Sequence, residues 1–163
     1  MRIQARLLVS IALATLLACP LMGKEKVGET DGNAFIHFEY AAETSLVLVP
    51  VYLNGSGPYQ FLLDTGATHT VVASRVAKKL KVSDGRMERL ITAGGAIPVS
   101  IGWFKELRIG QVRIPKPQVA VADLALLASF NVDGILGGDY LRSFSVVIDY
   151  LKHRIRFDTQ SDN

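Results

Sequence analysis

Residues 44–64, TSLVLVPVYLNGSGPYQFLLD, constrain the fold more than any other stretch of the chain. Two apolar runs rich in β-branched and aromatic residues flank Asn54, Gly55, Ser56 and Gly57, which are turn-forming residue types. The pattern predicts a hairpin of two largely buried strands. The second strand ends on a lone carboxylate, Asp64, at a Gly-containing bend, followed by the β-branched run HTVV. A carboxylate carried out of an apolar strand onto a tight bend either caps a turn or performs chemistry.

The rest of the chain from Phe35 onward continues in short strands. FIHFEY alternates, RLITAGGAIPVSIGW reads as a second hairpin with a flexible tip at Ala93, Gly94, Gly95 and Ala96, and SVVIDYLKHRIRFD reads as two strands around Lys152 and His153. Pro115 and Pro117 place the intervening strands at a sheet edge, because proline cannot donate to a ladder. The alternation breaks at SRVAKKLKV, where Val76, Ala77 and Leu80 fall at helical spacing behind Ser74, a good N-cap residue. LALLASF is an apolar loop or short helix. VDGILGGDYLRSF runs from a buried strand through glycines into a helical turn over Tyr140–Phe144. The expected fold class is all-β with one or two short helices.

At 163 residues, with 49% apolar and 20% charged, the chain has the makings of one packed domain and not of a disordered or fibrous one. Residues 1–23, MRIQARLLVSIALATLLACPLMG, place two arginines before an apolar run from Leu7 to Leu17, the order of a secretory signal. LLAC, Leu16 to Cys19, also resembles a bacterial lipobox. Cys19 is then either the lipidated first residue of a membrane-anchored lipoprotein or an incidental residue near an ordinary cleavage site. Either way the expected location is exported, periplasmic or membrane-anchored. Cys19 is the only cysteine, so the exported domain has no internal disulfide and stands on packing. Taking Arg2 and Arg6 away from 18 basic residues leaves 16 against 15 acidic, which gives no electrostatic footprint for nucleic acid. Residues 24–34 read as a tether, 35–158 as the domain and 159–163 as a tail.

Asp64-Thr65-Gly66-Ala67, between the strand QFLL and the run THTVV, resembles the active-site loop of the retropepsin-like aspartic proteases. DGILGGDYL, residues 133–141, resembles that family's second signature through Ile135, Leu136 and Gly137, followed by a short helix. The Gly-rich hairpin lies between the two, where the family has its flap. The resemblance spans roughly residues 35–158 in element order and looks closest to bacterial single-domain members. It implies a closed barrel, Asp64 as catalytic carboxylate and Thr65, Gly66 and Ala67 as its supporting loop. Residues 93–96 would be the flap, and no cofactor is required.

The chemistry has its own logic. Hydrolysing a peptide without a metal or covalent nucleophile takes a base to activate water and an acid to protonate the substrate. Two carboxylates close together supply both, because they share one proton. Gly66 lets the backbone come close and offer its N–H to the carboxylate. Leu62, Leu63, Ile135 and Leu136 would wall the site. This chain has only one Asp-Thr-Gly; Asp31, Asp84 and Asp133 precede glycine without the Thr or Ser. A protease of this type must therefore be a homodimer, two Asp64 meeting on a two-fold axis. In the family interleaved terminal strands hold the dimer, which makes VVIDY and RIRF the candidate interface.

The partners are then a second copy, a peptide or protein substrate and, through Cys19, a membrane. The alternative is a non-catalytic exported or lipid-anchored binding domain, monomeric, with an inert Asp64. A third reading has residues 24–34 block the cleft until removed. Asp133 and Asp139 read as turn and helix-cap residues, Trp103 and Phe104 as core or cleft wall. His37, His69 and His153 lack metal-ligand spacing, His69 being a surface or cleft-rim residue. Ser56, Ser74 and Ser100 lack a hydrolase arrangement, and GILGGD lacks the lysine of a phosphate loop.

Overall fold

A computed structural model describes residues 34–82, 85–92 and 95–159. The expected leader, the lipobox with Cys19, most of the tether, and flap-tip residues Ala93 and Gly94 lie outside those residues. The described residues are mostly β, with two short helices and one 3-10 segment.

The first hairpin forms as the sequence dictates. Strands β3 (Val47–Leu53) and β4 (Ser56–Leu63) are joined by Asn54 and Gly55, both at positive φ (+53° and +77°), the backbone of a tight two-residue turn. The turn is thus half as long as the four-residue one expected. Two-residue strands β1 (Ile36–His37) and β2 (Glu39–Tyr40) precede it. After β5 (Val71–Ala73) comes α1 (Ser74–Lys79), whose Val76 and Ala77 are buried as the spacing required. Ser74 does not cap α1. Ala73 occupies that position, and no side chain caps the helix.

The second hairpin, β6 (Met87–Thr92) and β7 (Gly95–Trp103), pairs from Met87 with Ser100 to Thr92 with Gly95. Then come β8 (Glu106–Ile109), β9 (Val112–Pro115), β10 (Gln118–Ala122), the 3-10 segment Ala125–Phe130 and β11 (Gly134–Leu136). Helix α2 spans Gly138–Leu141, earlier than the expected turn over Tyr140–Phe144. Extended Gly137 (φ −99°, ψ 178°) starts it, and Phe144 already belongs to the next strand. Strands β12 (Phe144–Asp149) and β13 (Arg154–Thr159) are the last elements of the described residues.

The main sheet runs β6-β7-β10-β5-β11-β4-β3-β8-β9, with β2 added to β3, and β1-β13-β12 form a small second sheet. The expected closed barrel is not found. The path ends on β6 and β9, and no ladder joins those two strands among the described residues. At one end β6 pairs, among the described residues, only with β7. At the other β9 ends on Pro115, which has no N–H to give a neighbour. Leu53, Phe61, Leu107, Ile109, Leu136 and Ile155 are fully buried and form the centre of the core. Most of the sheet is antiparallel. The two parallel pairs, β4 with β11 and β5 with β10, determine the site.

Candidate active site

Parallel pairing sets Leu62 beside Ile135 and Leu63 beside Leu136, so Asp64 and Gly137 leave the sheet side by side. Strand β11 also pairs with β5, which places it between β4 and β5. The loop from Asp64 to Thr70 must then cross the end of β11 to reach β5. Gly137 sits beneath that crossing: a Cβ there would lie 2.5 Å from the His69 carbonyl carbon and oxygen and 2.9 Å from the Thr70 nitrogen. Glycine is required at 137 by this close backbone approach.

The loop is bonded to what it crosses. Asp64 N–H donates to the Leu136 carbonyl (3.1 Å), and Ala67 N–H to the Asp64 carbonyl (3.2 Å). Gly138 N–H donates to the Ala67 carbonyl (2.7 Å) and Asp139 N–H to the Thr68 carbonyl (3.1 Å). The half-buried Asp64 carboxylate accepts the Gly66 N–H at 2.9 Å through Oδ1. Thr65 and Gly66 are exposed, Ala67 half-buried. The loop presents one carboxylate, oriented by a backbone donor, on a brace of four backbone hydrogen bonds.

Thr70 and Asp139 lock this brace, a role that sequence reading does not reveal. Thr70 is completely buried. Its hydroxyl donates to Asp139 Oδ1 (2.7 Å) and accepts the Gly137 N–H (3.0 Å), while its own N–H donates to Asp139 Oδ2 (2.9 Å). Asp139 Oδ1 also accepts the Tyr140 N–H at 3.0 Å. Asp139 is structural, as expected, but it clamps the loop 69 residues away instead of capping its own helix. The Tyr140 hydroxyl donates to the Gln118 carbonyl (3.1 Å); burial, with the Asp139 charge beside it, pushes its pKa up to about 12.

Asp133 is structural too. Its carboxylate accepts the Gln60 N–H at 2.8 Å and an Arg75 guanidinium N–H, and Arg75 also reaches the Val132 carbonyl (2.8 Å).

The four apolar residues expected to wall the site divide. Leu136 is fully buried in the main core and Leu62 nearly so in a smaller cluster. Leu63 and Ile135 are half-buried. Strand alternation sorts them by cluster and not by burial: Leu62 and Ile135 share one sheet face and the smaller cluster, Leu63 and Leu136 the other face and the main core. Phe104 is core and Trp103 is 57% exposed. At the hairpin tip, Gly95 (φ +112°) and Ala96 are exposed. His69 is also exposed, and it borders a cavity of about 290 Å³ between the loop and strands β6, β7 and β10. No group of His, Cys, Asp and Glu able to hold a metal occurs among the described residues.

A family profile described as aspartyl protease matches residues 49–140, more than half of the chain, from within β3 into α2. No curated protein sequence matches. Among solved structures, the fold is similar to a retropepsin-like aspartic protease from Rickettsia conorii, at 18% identity and a TM-score of 0.55, over 77% of this chain and 90% of that one. Also similar are the retroviral protease-like domain of Ddi1 from Leishmania major (18% identity, TM-score 0.46, 74% and 98% of the two chains) and EIAV protease complexed with the inhibitor HBY-793 (25%, 0.45, 64% and 91%). The matched segment contains the Asp64 loop, the second hairpin and the Ile135-Leu136-Gly137 strand end, and on that basis the chain belongs to the retropepsin-like aspartic protease family.

Proposed function

We propose that the protein is an exported aspartic endopeptidase that works as a homodimer, its catalytic unit being two Asp64 carboxylates, one from each copy. The observation that carries the reading is Asp64 itself, alone on a loop braced by backbone bonds and oriented by the Gly66 N–H. Among the described carboxylates near the site, Asp133 is engaged by Arg75 and Gln60, Asp139 by Thr70 and Glu88 by Arg86, so none of the three is free to act as its partner. The second carboxylate then comes from a second copy through an isologous contact.

Across that axis the two carboxylates share one proton. The ionised one takes a proton from the attacking water, and the protonated one donates to the scissile carbonyl oxygen. The β6–β7 hairpin of each copy would cover the cleft, with residues 93–96 at its tip. The terminal strands β12 and β13 would supply the dimer contact, which would also cover strand edges. Thr65, exposed beside Asp64, would bond across to the opposite loop. The arginine-then-apolar leader supports export, with Cys19 as a lipid anchor in the membrane-bound form.

Asp64→Asn is the test. The variant should fold and sediment as the wild-type dimer does and cleave no peptide. Proteolysis by the purified variant, or a wild type that stays monomeric at every concentration yet cleaves, refutes the proposal.

A further inference from the structure

The β6–β7 hairpin stands on a short root. Strand β10 pairs with β7 only through Ser100, Ile101, Gly102 and Trp103, while Gly95 to Val99 pair with β6 alone among the described residues. At strand spacing the overhang is about 17 Å long and the root about 10 Å. A sideways slip of about 1 Å at the Trp103 end, turning about Ser100, then moves the tip by about 1.7 Å. Leu90, Ile97 and Val99 pack beneath the hairpin, but apolar contact is non-directional and does not fix its sideways placement. Hydrogen bonds at the root have to do that.

Strand β10 is itself held along only part of its length. Its ladder with β5 covers Ala120, Val121 and Ala122, and the Ala120 N–H donates to the Thr70 carbonyl at 3.1 Å. Gln118 and Val119, which oppose Trp103 and Gly102, lie beyond that ladder. There the Gln118 carbonyl accepts the Tyr140 hydroxyl at 3.1 Å. Tyr140 follows Asp139, whose carboxylate accepts the Thr70 N–H and hydroxyl. Helix α2 thus holds the Asp64 loop with one residue and the hairpin root with the next. Between loop and hairpin lies the cavity of about 290 Å³, so the tie spans a gap that side chains do not fill. Burial, with the Asp139 charge, raises the Tyr140 pKa to about 12, and the hydroxyl keeps its proton at neutral pH.

We propose that Tyr140 is a positioning residue for the cleft: through the Gln118 carbonyl it sets where the β6–β7 hairpin stands over the peptide that Asp64 addresses. The inference rests on the endopeptidase reading. The hairpin grips the peptide equally before and during reaction, so the tie acts on KM. The Asp64 loop, braced separately through Thr70, keeps kcat.

Tyr140→Phe removes the hydroxyl and keeps the ring. In variant protein shown by circular dichroism to be folded, KM should rise roughly 5-fold, kcat should stay within about 2-fold, and the pH profile of kcat should not move. A bond that only stabilises the fold would instead lower kcat per mole of protein at unchanged KM. Amide hydrogen exchange gives a reading independent of catalysis. Hairpin amides between Met87 and Val99 should exchange roughly 5-fold faster in the variant, and those of the Asp64–Thr70 loop at the wild-type rate. An unchanged KM, a displaced pH profile, or hairpin exchange that matches wild type overturns the positioning role alone. Faster hairpin exchange in the variant of a protein that cleaves no peptide overturns the endopeptidase reading and leaves the tie standing. Unaltered exchange together with no cleavage by the wild type overturns both.

Discussion

Replacing Thr70 by valine keeps the shape of the side chain and removes only its hydroxyl. In the folded protein that hydroxyl donates to a carboxylate at 2.7 Å and accepts the Gly137 N–H at 3.0 Å, with Thr70 fully buried. Losing a hydrogen bond to a charged acceptor costs about 1.5–3 kcal/mol, and leaving the Gly137 N–H buried without a partner costs roughly 1–3 kcal/mol more. Asp139 keeps its bonds from the Thr70 and Tyr140 N–H groups, so the two costs are not fully additive. The expected loss is about 3–4 kcal/mol, a fall in Tm on the order of 10–20 °C for a domain of this size. Thr70→Ser keeps both bonds, gives up one methyl and should lose only about 1 kcal/mol. Urea and thermal unfolding followed by circular dichroism measure both variants. If Thr70→Val is as stable as Thr70→Ser, the hydroxyl does not lock the loop and the clamp between residues 70 and 139 is wrong.

Gly137→Ala puts a methyl 2.5 Å from the His69 backbone and should destabilise by about 3 kcal/mol or more; a variant within about 1 kcal/mol of wild type would show that the loop does not cross there. Tyr140→Phe should cost about 1 kcal/mol at pH 7 through the lost bond to the Gln118 carbonyl. Because the folded pKa is raised to about 12 from 10.0, the proton on Tyr140 favours the folded state fully below pH 10. That advantage is lost as pH rises to about 12. The half-exposed ring limits the effect to roughly 1 kcal/mol, so the gap between the two proteins should narrow between pH 10 and 12. A gap in urea midpoints that stays constant from pH 7 to 11 counts against it. Arg75→Ala should cost about 1–2 kcal/mol by freeing the Asp133 carboxylate, which is 15% exposed, and the Val132 carbonyl; no change in the urea midpoint would make that pair ornamental.

The hairpins, α1 and the edge strand were legible because each signal is local. Asn-Gly between apolar runs can hardly make anything but a tight turn, and Val76, Ala77 and Leu80 find the core at helical spacing. Asp64 and Ile135-Leu136-Gly137 were legible as motifs, and parallel pairing of β4 with β11 brings the two together. The clamp was hidden because Thr70 and Asp139 are 69 positions apart and each looks like an ordinary turn or cap residue. Which face of its strand Leu136 takes was not legible, because a three-residue strand gives too little alternation to assign its faces. The closed barrel failed for a similar reason: which strands end a sheet depends on long-range pairing, and although Pro115 marks β9 as an edge, β6 carries no local mark of being a terminus.

The measurement closest to the heart of the proposal mixes the wild type with Asp64→Asn protein after the two have exchanged partners. At a fixed amount of wild type, an equal amount of the variant should halve peptidase activity, and larger excesses should reduce it further in proportion to the surviving wild-type pairs. Activity that ignores the added variant, with exchange verified, would mean that each chain cleaves by itself and that no second Asp64 is used.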